Sequence, residues 1–295
     1  MKIFITGATG FIGKHLVKKL VDEGHQITIN LFGEEPSPFD DKVLTYKLKE
    51  TNIQNDIEYL KQESFDGIIH LASLYLTIHQ PEDAVKLIDS NLRFSTSILE
   101  CAAQAKVKWF INTGTFWQNY NNADYSPVNL YAATKQAFES IARYYIETNK
   151  IKFCTLRLCD TYGPDDTRPK IFNLWNKIAK SGETLEMSSG EQIIDIAFID
   201  DIVEAFVILA THQQNNTRNN TNGSVYAVKA EKRYTLKELA SIFEEATGYK
   251  LHIQWGKKPY RNREVMIPWE NGVIVPGWEP KIKIKTGIKM FIEIQ

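Results

Sequence analysis

The chain has 295 residues, 43% of them hydrophobic and 24% charged, and its formal net charge is −1. At ~150 residues per domain, this length predicts roughly two domains, or one large α/β domain with an appendage, and the apolar fraction excludes disorder for the bulk of the chain. The near balance of 35 basic and 36 acidic side chains excludes the basic surface expected of a nucleic-acid-binding protein.

Cysteine usage and hydropathy bear on the cellular location. Cys101, Cys154 and Cys159 form no Cys-x-x-Cys pair and leave one thiol over, which is typical of reduced cysteines in a cytosolic protein. The sequence has no apolar run of the ~18 residues that span a bilayer. The amino terminus reaches Gly7 too early for a signal peptide. We therefore expect a cytoplasmic protein with no membrane partner.

The first 160 residues alternate between predicted strands and helices. The predicted strands lie at 2–6, 26–32, 67–72, 107–112 and 153–158, and the predicted helices at 11–23, 81–104 and 130–148. Alternation with nearly continuous apolar strands is typical of a parallel sheet covered on both faces. The predicted fold class is therefore α/β, a Rossmann-type doubly wound parallel sheet.

After about residue 160 the alternation weakens. Turn-rich stretches separate short elements, notably 162–169 and the asparagine-rich 212–223, which we expect to be a solvated surface loop. We predict a first domain at residues 1–160 and a smaller mixed α/β region at 161–295. Some segments of the second region are expected to return to the first.

A glycine loop joins the first predicted strand to the first predicted helix. Its spacing fits a dinucleotide-binding loop, in which the first glycine makes a tight turn, the second admits a pyrophosphate and the third packs the helix on the strand. Free N–H groups at the helix start favour the phosphates. The predicted cofactor contacts here are Gly7, Thr9, Gly10, Phe11, Ile12 and Gly13.

The end of the second strand bears on which nicotinamide cofactor binds. An acidic residue there binds the ribose 2′-hydroxyl of NAD, whereas a basic residue pairs with the 2′-phosphate of NADP. Asn30, Leu31, Phe32 and Gly33 carry no charge, and the acidic pair at 34–35 comes slightly late. The missing acid removes the usual bias against NADP, so we expect NADP, with NAD as the alternative.

Tyr131 and Lys135 stand at positions i and i+4 of one predicted helix, so they share a face. A cation so close lowers the pKa of a tyrosine from ~10 and suits it to exchange a proton with a sugar or alcohol oxygen. Thr113 directly follows an apolar strand at the edge where open α/β sheets bind ligands. Each residue alone also fits a surface pair or a turn, but with the glycine loop the set predicts catalysis.

Together these features resemble the short-chain dehydrogenase/reductase superfamily, specifically its extended branch of nucleotide-sugar epimerases, dehydratases and reductases. The resemblance covers nearly the whole chain. Its further motifs are Ile69-His70-Leu71-Ala72, Asn91, Tyr162-Gly163-Pro164 and the stretch 195–201.

The resemblance implies roles for these residues. Tyr131 is the acid/base, Lys135 tunes it and holds the nicotinamide ribose, and Thr113 contacts the substrate oxygen. The first domain binds NAD(P), and the second region binds the nucleotide diphosphate of a sugar. Further cofactor contacts implied by the resemblance are Leu71, Ala72, Asn91, Tyr131 and Lys135.

Departures from the family pattern narrow the reaction. The family's 4,6-dehydratases carry an Asp–Glu pair directly after the catalytic threonine, where this chain has Gly114 and Thr115, so the sequence argues against dehydration. The family often has an asparagine and an arginine near the sugar-nucleotide phosphates, where this chain has Asp160 and Ile194. A carboxylate at 160 would repel a diphosphate unless a cation compensates for it.

Four basic residues are candidates for that compensation, and the segment 259–264 resembles the family's late basic motif. Arginine suits bidentate phosphate binding, although each of these residues also fits a solvated surface charge. The predicted substrate contacts are Thr113, Thr115, Phe116, Asp160, Arg168, Lys170, Arg261 and Arg263.

The segments 112–118, 131–135 and 160–164 look closest to reductases that make dideoxy or 6-deoxy sugars for surface polysaccharides, of the CDP-paratose and CDP-abequose synthase type. The resemblance implies an NAD(P)H-dependent reductase that transfers a hydride to the C4 ketone of a nucleotide-linked 6-deoxy or dideoxy ketosugar. An epimerase that retains its NAD stays an alternative. So does a non-catalytic NAD(P)-sensing protein, against which the Thr–Tyr–Lys set argues.

The remaining candidates carry less weight. No His/Cys/Asp/Glu spacing predicts a metal site. His79 is expected in an exposed loop, and Phe116 and Trp117 fit either a ring-stacking role or the core. Related enzymes often dimerise through the helix that carries the tyrosine, so we expect a homodimer. The residues that fit either that contact or the protomer core are Phe138, Ile141 and Tyr145.

Overall fold

Strands and helices alternate through most of the chain. The structure, a computed structural model, describes residues 1–33, 36–48, 52–215 and 222–293. The strands are β1 (Lys2–Thr6), β2 (Gln26–Asn30), β3 (Val43–Tyr46), β4 (Gly67–His70), β5 (Trp109–Thr115), β6 (Lys152–Leu158), β7 (Asp160–Tyr162), β8 (Leu185–Glu186), β9 (Ile193–Ile194), β10 (Ile196–Phe198), β11 (Val225–Val228), β12 (Tyr234–Thr235), β13 (Ile253–Gln254) and β14 (Val273–Ile274). The helices are α1 (Phe11–Asp22), α2 (Ile53–Glu63), α3 (Asp83–Ile88), α4 (Ser95–Gln104), α5 (Leu130–Glu147), α6 (Ile171–Ser181), α7 (Ile199–Asn215), α8 (Leu236–Thr247) and α9 (Ile284–Glu293).

Eight of these strands form one parallel sheet in the order β14–β11–β6–β5–β4–β1–β2–β3. The predicted Rossmann-type α/β fold is confirmed. The chain runs from β1 to β3 in one direction and from β4 to β6 in the other. The two halves diverge between β1 and β4, which is where doubly wound sheets bind ligands at the carboxyl ends of their strands.

Helices cover both faces of the sheet. On one face, α1 and α7 contribute Leu16 and Phe206 to a large core. On the other, α2, α4 and α5 pack around Leu60, Leu99 and Phe138. Because the central strands are buried on both sides, they read as continuous apolar runs rather than alternating ones.

The structure adds elements that the pattern did not predict. Strand β3 lies at the sheet edge, where Val43 is 6% exposed and Leu44 is 54% exposed. In α2 the buried residues are Asp56 and Leu60. Too few apolar residues share one face of this helix for the sequence pattern to predict it. Late in the chain, β11 and β14 extend the main sheet beside β6.

Other parts of the second half pack on the first core. Phe172, Trp175, Phe243 and Phe291, from α6, α8 and α9, meet in a cluster of ring contacts. The predicted start of the loop at 212–223 is wrong, because α7 continues to Asn215. Residues 216–221, like the acidic pair at 34–35, lie outside the described part of the chain.

Two of the three candidate dimer residues point into the protomer. Phe138 is 1% exposed and Tyr145 is 6% exposed, and both belong to the core beneath α5. Of the two alternatives for these side chains, the structure therefore favours internal packing. Within the described residues, every helix is too short or too polar to cross a bilayer.

Candidate active site

A cavity of about 810 Å³ opens at the carboxyl edge of the sheet, where the two halves diverge. The glycine loop forms one side, the start of α5 and the end of β5 form its floor, and segments 158–170 and 261–268 form the other side. The predicted site residues that line it are Gly7, Gly10, Phe11, Ile12, Gly13, Leu71, Thr113, Thr115, Phe116, Tyr131, Lys135, Asp160, Arg168, Lys170, Arg261 and Arg263.

Three predicted cofactor residues do not line the cavity. Thr9 is exposed at the tip of the glycine loop. Ala72 is buried, with its backbone packed beside Gly7. Asn91 is 1% exposed and lies behind the loop that follows β4.

Asn91 holds that loop in place. It stands in a π-helical stretch, Asp89–Phe94, between α3 and α4. Its amide accepts a hydrogen bond from Leu74 N at 2.7 Å and donates to Leu74 O at 3.0 Å and to Thr134 Oγ1 at 3.1 Å. Ser73 Oγ also donates to Asn91 Oδ1. Asn91 therefore ties the β4 loop to α5 rather than facing a ligand.

The glycine loop has the shape of a phosphate cradle. Gly7 has φ +72°, and a Cβ there would lie 2.5 Å from Ala72 N. A Cβ on Gly13 would lie 2.3 Å from Gly7 O, so α1 packs on the loop backbone itself. Gly10 caps α1 without a side-chain hydrogen bond, and the first turn of α1 has no acidic residue. Free N–H groups and the helix dipole thus face the cavity and fit a pyrophosphate.

The end of β2 has no charged group over Asn30 to Gly33. Asn30 is buried and accepts a hydrogen bond from Leu48 N, so its side chain ties β2 to the chain beyond β3. Phe32 packs edge-on against Phe94, at 4.8 Å between ring centroids.

The predicted catalytic residues lie together on the floor of the cavity. Tyr131 and Lys135 extend from the first two turns of α5. Thr113 stands in β5, and its buried Oγ1 has no hydrogen-bond partner within the described residues. A buried hydroxyl without a partner is rare in folded proteins, so it marks the place where a ligand oxygen would bind.

Asn129 fixes the start of α5. Its side chain accepts a hydrogen bond from Ala132 N at 3.0 Å and donates to Leu76 O and Thr77 O in the β4 loop. One asparagine thus caps the helix and anchors the loop that faces Tyr131. In the sequence, an asparagine directly before the predicted helix at 130–148 indicates this N-cap.

Burial and neighbouring groups together determine the pKa of Tyr131. Burial raises the pKa of Tyr131, and the neighbouring Tyr75 adds to this effect. The groups that oppose the rise are Lys170, by its charge, and Ser73, by a hydrogen bond. Burial also lowers the pKa of Lys135 to about 8, against a smaller opposite effect of Glu139. The charge of Lys170 therefore acts on Tyr131, and the effect of Lys135 on Tyr131 stays a prediction.

Asp160 is compensated as the sequence analysis required, and the partner is Lys170. The two side chains form an ion pair at 2.8 Å. Burial disfavours the Asp160 carboxylate, but the charge and hydrogen bond of Lys170 hold the pKa of Asp160 below its ordinary value.

The arginines carry less free charge than predicted. Arg168 contacts Asp166 with Nε at 2.7 Å and Nη2 at 2.8 Å. Arg261 contacts Glu264 through Nε at 3.0 Å and Nη2 at 2.9 Å. Both arginines are therefore largely neutralised by a neighbouring carboxylate.

Arg263 is the exception among the predicted arginines. It donates to Ser126 Oγ at 2.7 Å and lies over the ring of Tyr120 at 4.3 Å. Its buried Nε has no hydrogen-bond partner in the described part of the chain, and its φ is +56°. An unpartnered guanidinium N–H in strained backbone indicates a contact with a ligand.

Two cavity residues, Tyr75 and Ser73, escaped the sequence analysis. Tyr75 contacts Tyr131 edge-on at 5.1 Å and Trp117 at 5.7 Å between ring centroids. Ser73 hydrogen-bonds Tyr131. His79 is exposed, as expected, but it lines the cavity. Tyr75 and Ser73 stand in an irregular loop, where periodicity gives no signal. No cluster of three or more metal-ligating side chains is found among residues 1–33, 36–48, 52–215 and 222–293.

Comparison with known proteins places this geometry in a family. The model of the NAD dependent epimerase/dehydratase family matches residues 3–224. The chain belongs to this family. Members of the family are enzymes of the NAD-dependent oxidoreductase type, and the described cradle and the Thr–Tyr–Lys set agree with that membership.

Individual relatives span the full chain. The chain is 28% identical to CDP-abequose synthase from Salmonella muenchen, over 100% of this chain and 98% of the relative. Its fold is similar to UDP-glucose 4-epimerase from Thermotoga maritima with UDP-glucose, with a TM-score of 0.84, 22% identity and coverage of 100% and 98%. It is likewise similar to UDP-glucose 4-epimerase from Thermus thermophilus in complex with NAD, with a TM-score of 0.81, 20% identity and the same coverage.

Proposed function

We propose that the protein is a reductase that transfers a hydride from a reduced nicotinamide cofactor to the C4 ketone of a nucleotide-linked 6-deoxy or dideoxy ketosugar. The observation that carries the proposal is one cavity that joins a phosphate cradle to Thr113, Tyr131 and Lys135. The full-length similarity to a CDP-abequose synthase supports the substrate class.

The glycine loop would hold the pyrophosphate of the cofactor on the N–H groups at the start of α1. When bound, the cofactor supplies the hydride. Lys135, buried beside Tyr131 on α5, would hold the nicotinamide ribose. The uncharged positions Asn30 to Gly33 supply no carboxylate against a 2′-phosphate, so NADP is the proposed cofactor. NAD, which the Thermus relative binds, is the alternative outcome.

The chain's own residues manage the proton. The Thr113 hydroxyl donates a hydrogen bond to the ketone oxygen and fixes it beside Tyr131. As a new C4–H bond forms, the C4–O π pair moves to oxygen, and Tyr131 gives its phenolic proton to that oxygen. The product is an alcohol, and Tyr131 is left as phenolate. Because burial raises the pKa of Tyr131, the phenol is fully protonated before the step, as a general acid requires.

The charged side of the cavity would hold the nucleotide diphosphate. Arg263 offers its unpartnered Nε, and Arg261 lies beside it in the same loop. Both guanidinium groups suit phosphate oxygens. Gly114 and Thr115 follow Thr113, where a dehydratase needs a separate acid and base, so elimination of water is not part of the proposal.

A nucleotide-sugar 4-epimerase is the second candidate, supported by the fold similarity to two UDP-glucose 4-epimerases. An epimerase uses the same three side chains but returns the hydride to its substrate. It therefore keeps its cofactor bound through purification and consumes none.

The test follows absorbance of the reduced nicotinamide with CDP-, GDP-, dTDP- and UDP-linked 4-keto-6-deoxy sugars, each with NADPH and NADH. The reductase proposal predicts loss of one reduced cofactor per sugar reduced, with one nucleotide preferred. Cofactor that stays bound, with interconversion of two sugars and no net oxidation, would instead support the epimerase. No turnover and no sugar-nucleotide binding would contradict both.

A further inference from the structure

Lys170 lies at the junction of the charged side of the cavity and the catalytic floor. Its Nζ donates to Asp160 Oδ1 at 2.8 Å and to Tyr75 Oη at 3.2 Å. The same ammonium lies 4.8 Å from the centroid of the Tyr75 ring. Tyr75 in turn packs edge-on against Tyr131. A chain of four side chains thus leads from a carboxylate, through a cation and an aromatic ring, to the phenol that moves the proton.

The order of these groups gives the ion pair a direction. The cation stands between the carboxylate and the aromatic pair, so the positive end of the pair faces Tyr131. Only 23% of the Lys170 side chain is exposed. Burial opposes its charge, yet the charge of Asp160 and the hydrogen bonds that Lys170 donates to Asp160 and Tyr75 raise the pKa of Lys170 above its usual value. Lys170 therefore stays charged throughout the working pH range.

Other cations lie on this face of the cavity, and two of them are paired with carboxylates. On the opposite loop, Arg261 is paired with Glu264, and before α6, Arg168 is paired with Asp166. On α5 itself, Lys135 lies near Glu139, and its pKa falls to about 8.

The remaining titratable groups on this face do not compete with Lys170. Burial raises the pKa of the Cys159 thiol well above its ordinary value, so the thiol is neutral. Asp195 is paired with Arg233, Arg263 lies over Tyr120, and His79 is exposed at the cavity mouth.

We propose that Lys170, held between Asp160 and Tyr75, is a positioning residue for the proposed reaction. It keeps a positive charge behind the Tyr75–Tyr131 pair and stabilises the negative charge that develops on the Tyr131 oxygen as its proton leaves. Asp160 holds the cation at that position and limits its effect. The inference rests on the proposed function of Tyr131 as the general acid.

Substitutions of the two partners of the ion pair are expected to shift the pH profile of kcat in opposite directions. Because burial raises the pKa of Tyr131, the fall of kcat at high pH is measured in enzyme with a more acidic fluorinated tyrosine at position 131, which loses its proton at lower pH. Lys170→Met removes the cation, so this fall should move to higher pH, by about one pH unit for a nearby charge. Asp160→Asn leaves the cation uncompensated, so the fall should move to lower pH. Lys170→Arg keeps the charge and should restore the wild-type profile.

A control separates this effect from a general loss of charge. Lys237 on α8 is exposed and pairs with Glu191 away from the cavity. Lys237→Met makes the same change in net charge and should leave the pH profile unmoved. If both cavity variants raise KM without moving the high-pH fall, the pair only binds substrate and the proposal is wrong.

A second measurement does not depend on turnover. A fluorinated tyrosine at position 131, whose phenol is more acidic, can be titrated by fluorine NMR in the enzyme without substrate. The midpoint should rise in Lys170→Met and fall in Asp160→Asn, and if the first variant fails to fold, the second still tests the direction. Opposite shifts without turnover would reject the reductase and show only that the charge of Lys170 acts on the phenol at position 131. Unmoved midpoints in an active enzyme would reject the inference alone.

Discussion

One side of the cavity is made of closely packed backbone, and the other is made of paired charges. The first, here the glycine wall, consists of Gly7, Gly10 and Gly13, where an added Cβ would meet main-chain atoms. The second, the charged wall, consists of Asp160, Arg168, Lys170, Arg261 and Arg263. Three of its four cations already contact a carboxylate.

The difference separates two ways to hold an anion. The glycine wall uses fixed N–H dipoles, whose positions the β1–α1 connection determines, and it carries no charge that needs a partner. The charged wall uses side chains that neutralise one another until a ligand competes for them. We therefore expect the glycine wall to tolerate little added side-chain volume. For the ion pairs, we expect the stability lost on removing one partner to depend on how deeply the pair is buried.

The largest expected effect concerns a buried ion pair between β6 and α5. Arg157 Nη2 lies 2.6 Å from Glu139 Oε2, with side chains 6% and 9% exposed. Arg157→Met leaves that carboxylate buried without its cation, which should lower the free energy of unfolding by about 3–5 kcal/mol. Urea denaturation of the full chain measures the change.

The matched control is another Arg–Glu pair that also uses a glutamate of α5. Arg143 and Glu147 are 67% and 63% exposed and lie 2.8 Å apart. Arg143→Met should change stability by less than about 0.5 kcal/mol, because exposed pairs are screened by water. Equal losses from the two substitutions would contradict the dependence on burial.

The next effect concerns the buried charge of Lys135. Because its pKa in the folded chain is about 8, against an ordinary value of 10.5, the unfolded chain binds more protons between these values. Wild-type stability should therefore rise with pH from 8 to 10.5. Lys135→Met should gain ~3 kcal/mol of stability at pH 7 while losing activity.

Denaturation of both proteins at several pH values tests that sign. The gap between them should be constant below pH 8 and close by about pH 10.5. A variant less stable than wild type at pH 7 would show that Lys135 is stabilised by contacts that outweigh its burial.

The glycine wall gives a smaller but sharper effect. Gly13 lies inside α1, where alanine should favour the helix by about 1 kcal/mol. A Cβ at position 13 would lie 2.3 Å from Gly7 O. This predicts the reverse, a loss of ~1–3 kcal/mol in the free energy of unfolding from overpacking. Gly24→Ala is the comparison, since it has φ +80° but no atom within 4 Å, so its loss comes from backbone strain alone. A stabilised Gly13→Ala would overturn the close packing of α1.

The smallest expected effect falls chiefly on cofactor binding. A Cβ on Gly10 would meet Gly7 O at 3.3 Å and no other atom within 4 Å. Gly10→Ala should therefore lose less stability than Gly13→Ala, whose Cβ would lie 2.3 Å from the same oxygen, while the methyl group at position 10 occupies space that the pyrophosphate approaches. Cofactor affinity should fall about tenfold, equivalent to ~1.4 kcal/mol. Calorimetric titration with NADPH and NADH measures this affinity. An unchanged affinity would show that the pyrophosphate does not bind beside Gly10.

The two walls also differ in what the sequence alone could predict. The glycine spacing, the apolar strands and the Tyr131–Lys135 interval depend on neighbours within a few residues, so the fold and the catalytic floor followed from local pattern. The edge strand β3 gave too weak a pattern, with only Val43 buried at one end.

The charges depend on residues far apart in the chain, and this is why their pairing was not predicted. Tyr75 and Lys170 are 95 positions apart, and Arg263 meets Ser126 across 137 positions. The sequence supplied the four cations of the charged wall, but only the fold decides which carboxylate each one contacts. The same limit applies to Tyr131, because the effect of Lys170 on its pKa joins two segments that are distant in the sequence.

The kcat of Tyr131→Phe for reduction of the preferred sugar nucleotide tests the central claim most directly. The substitution removes one hydroxyl, which has no structural partner other than Ser73 among its described contacts. Cofactor affinity and fold should be kept. Since a positioned proton transfer contributes ~10²–10⁴-fold, kcat should fall by that factor. A variant that retains more than about a tenth of wild-type kcat would contradict the role of Tyr131 as the general acid.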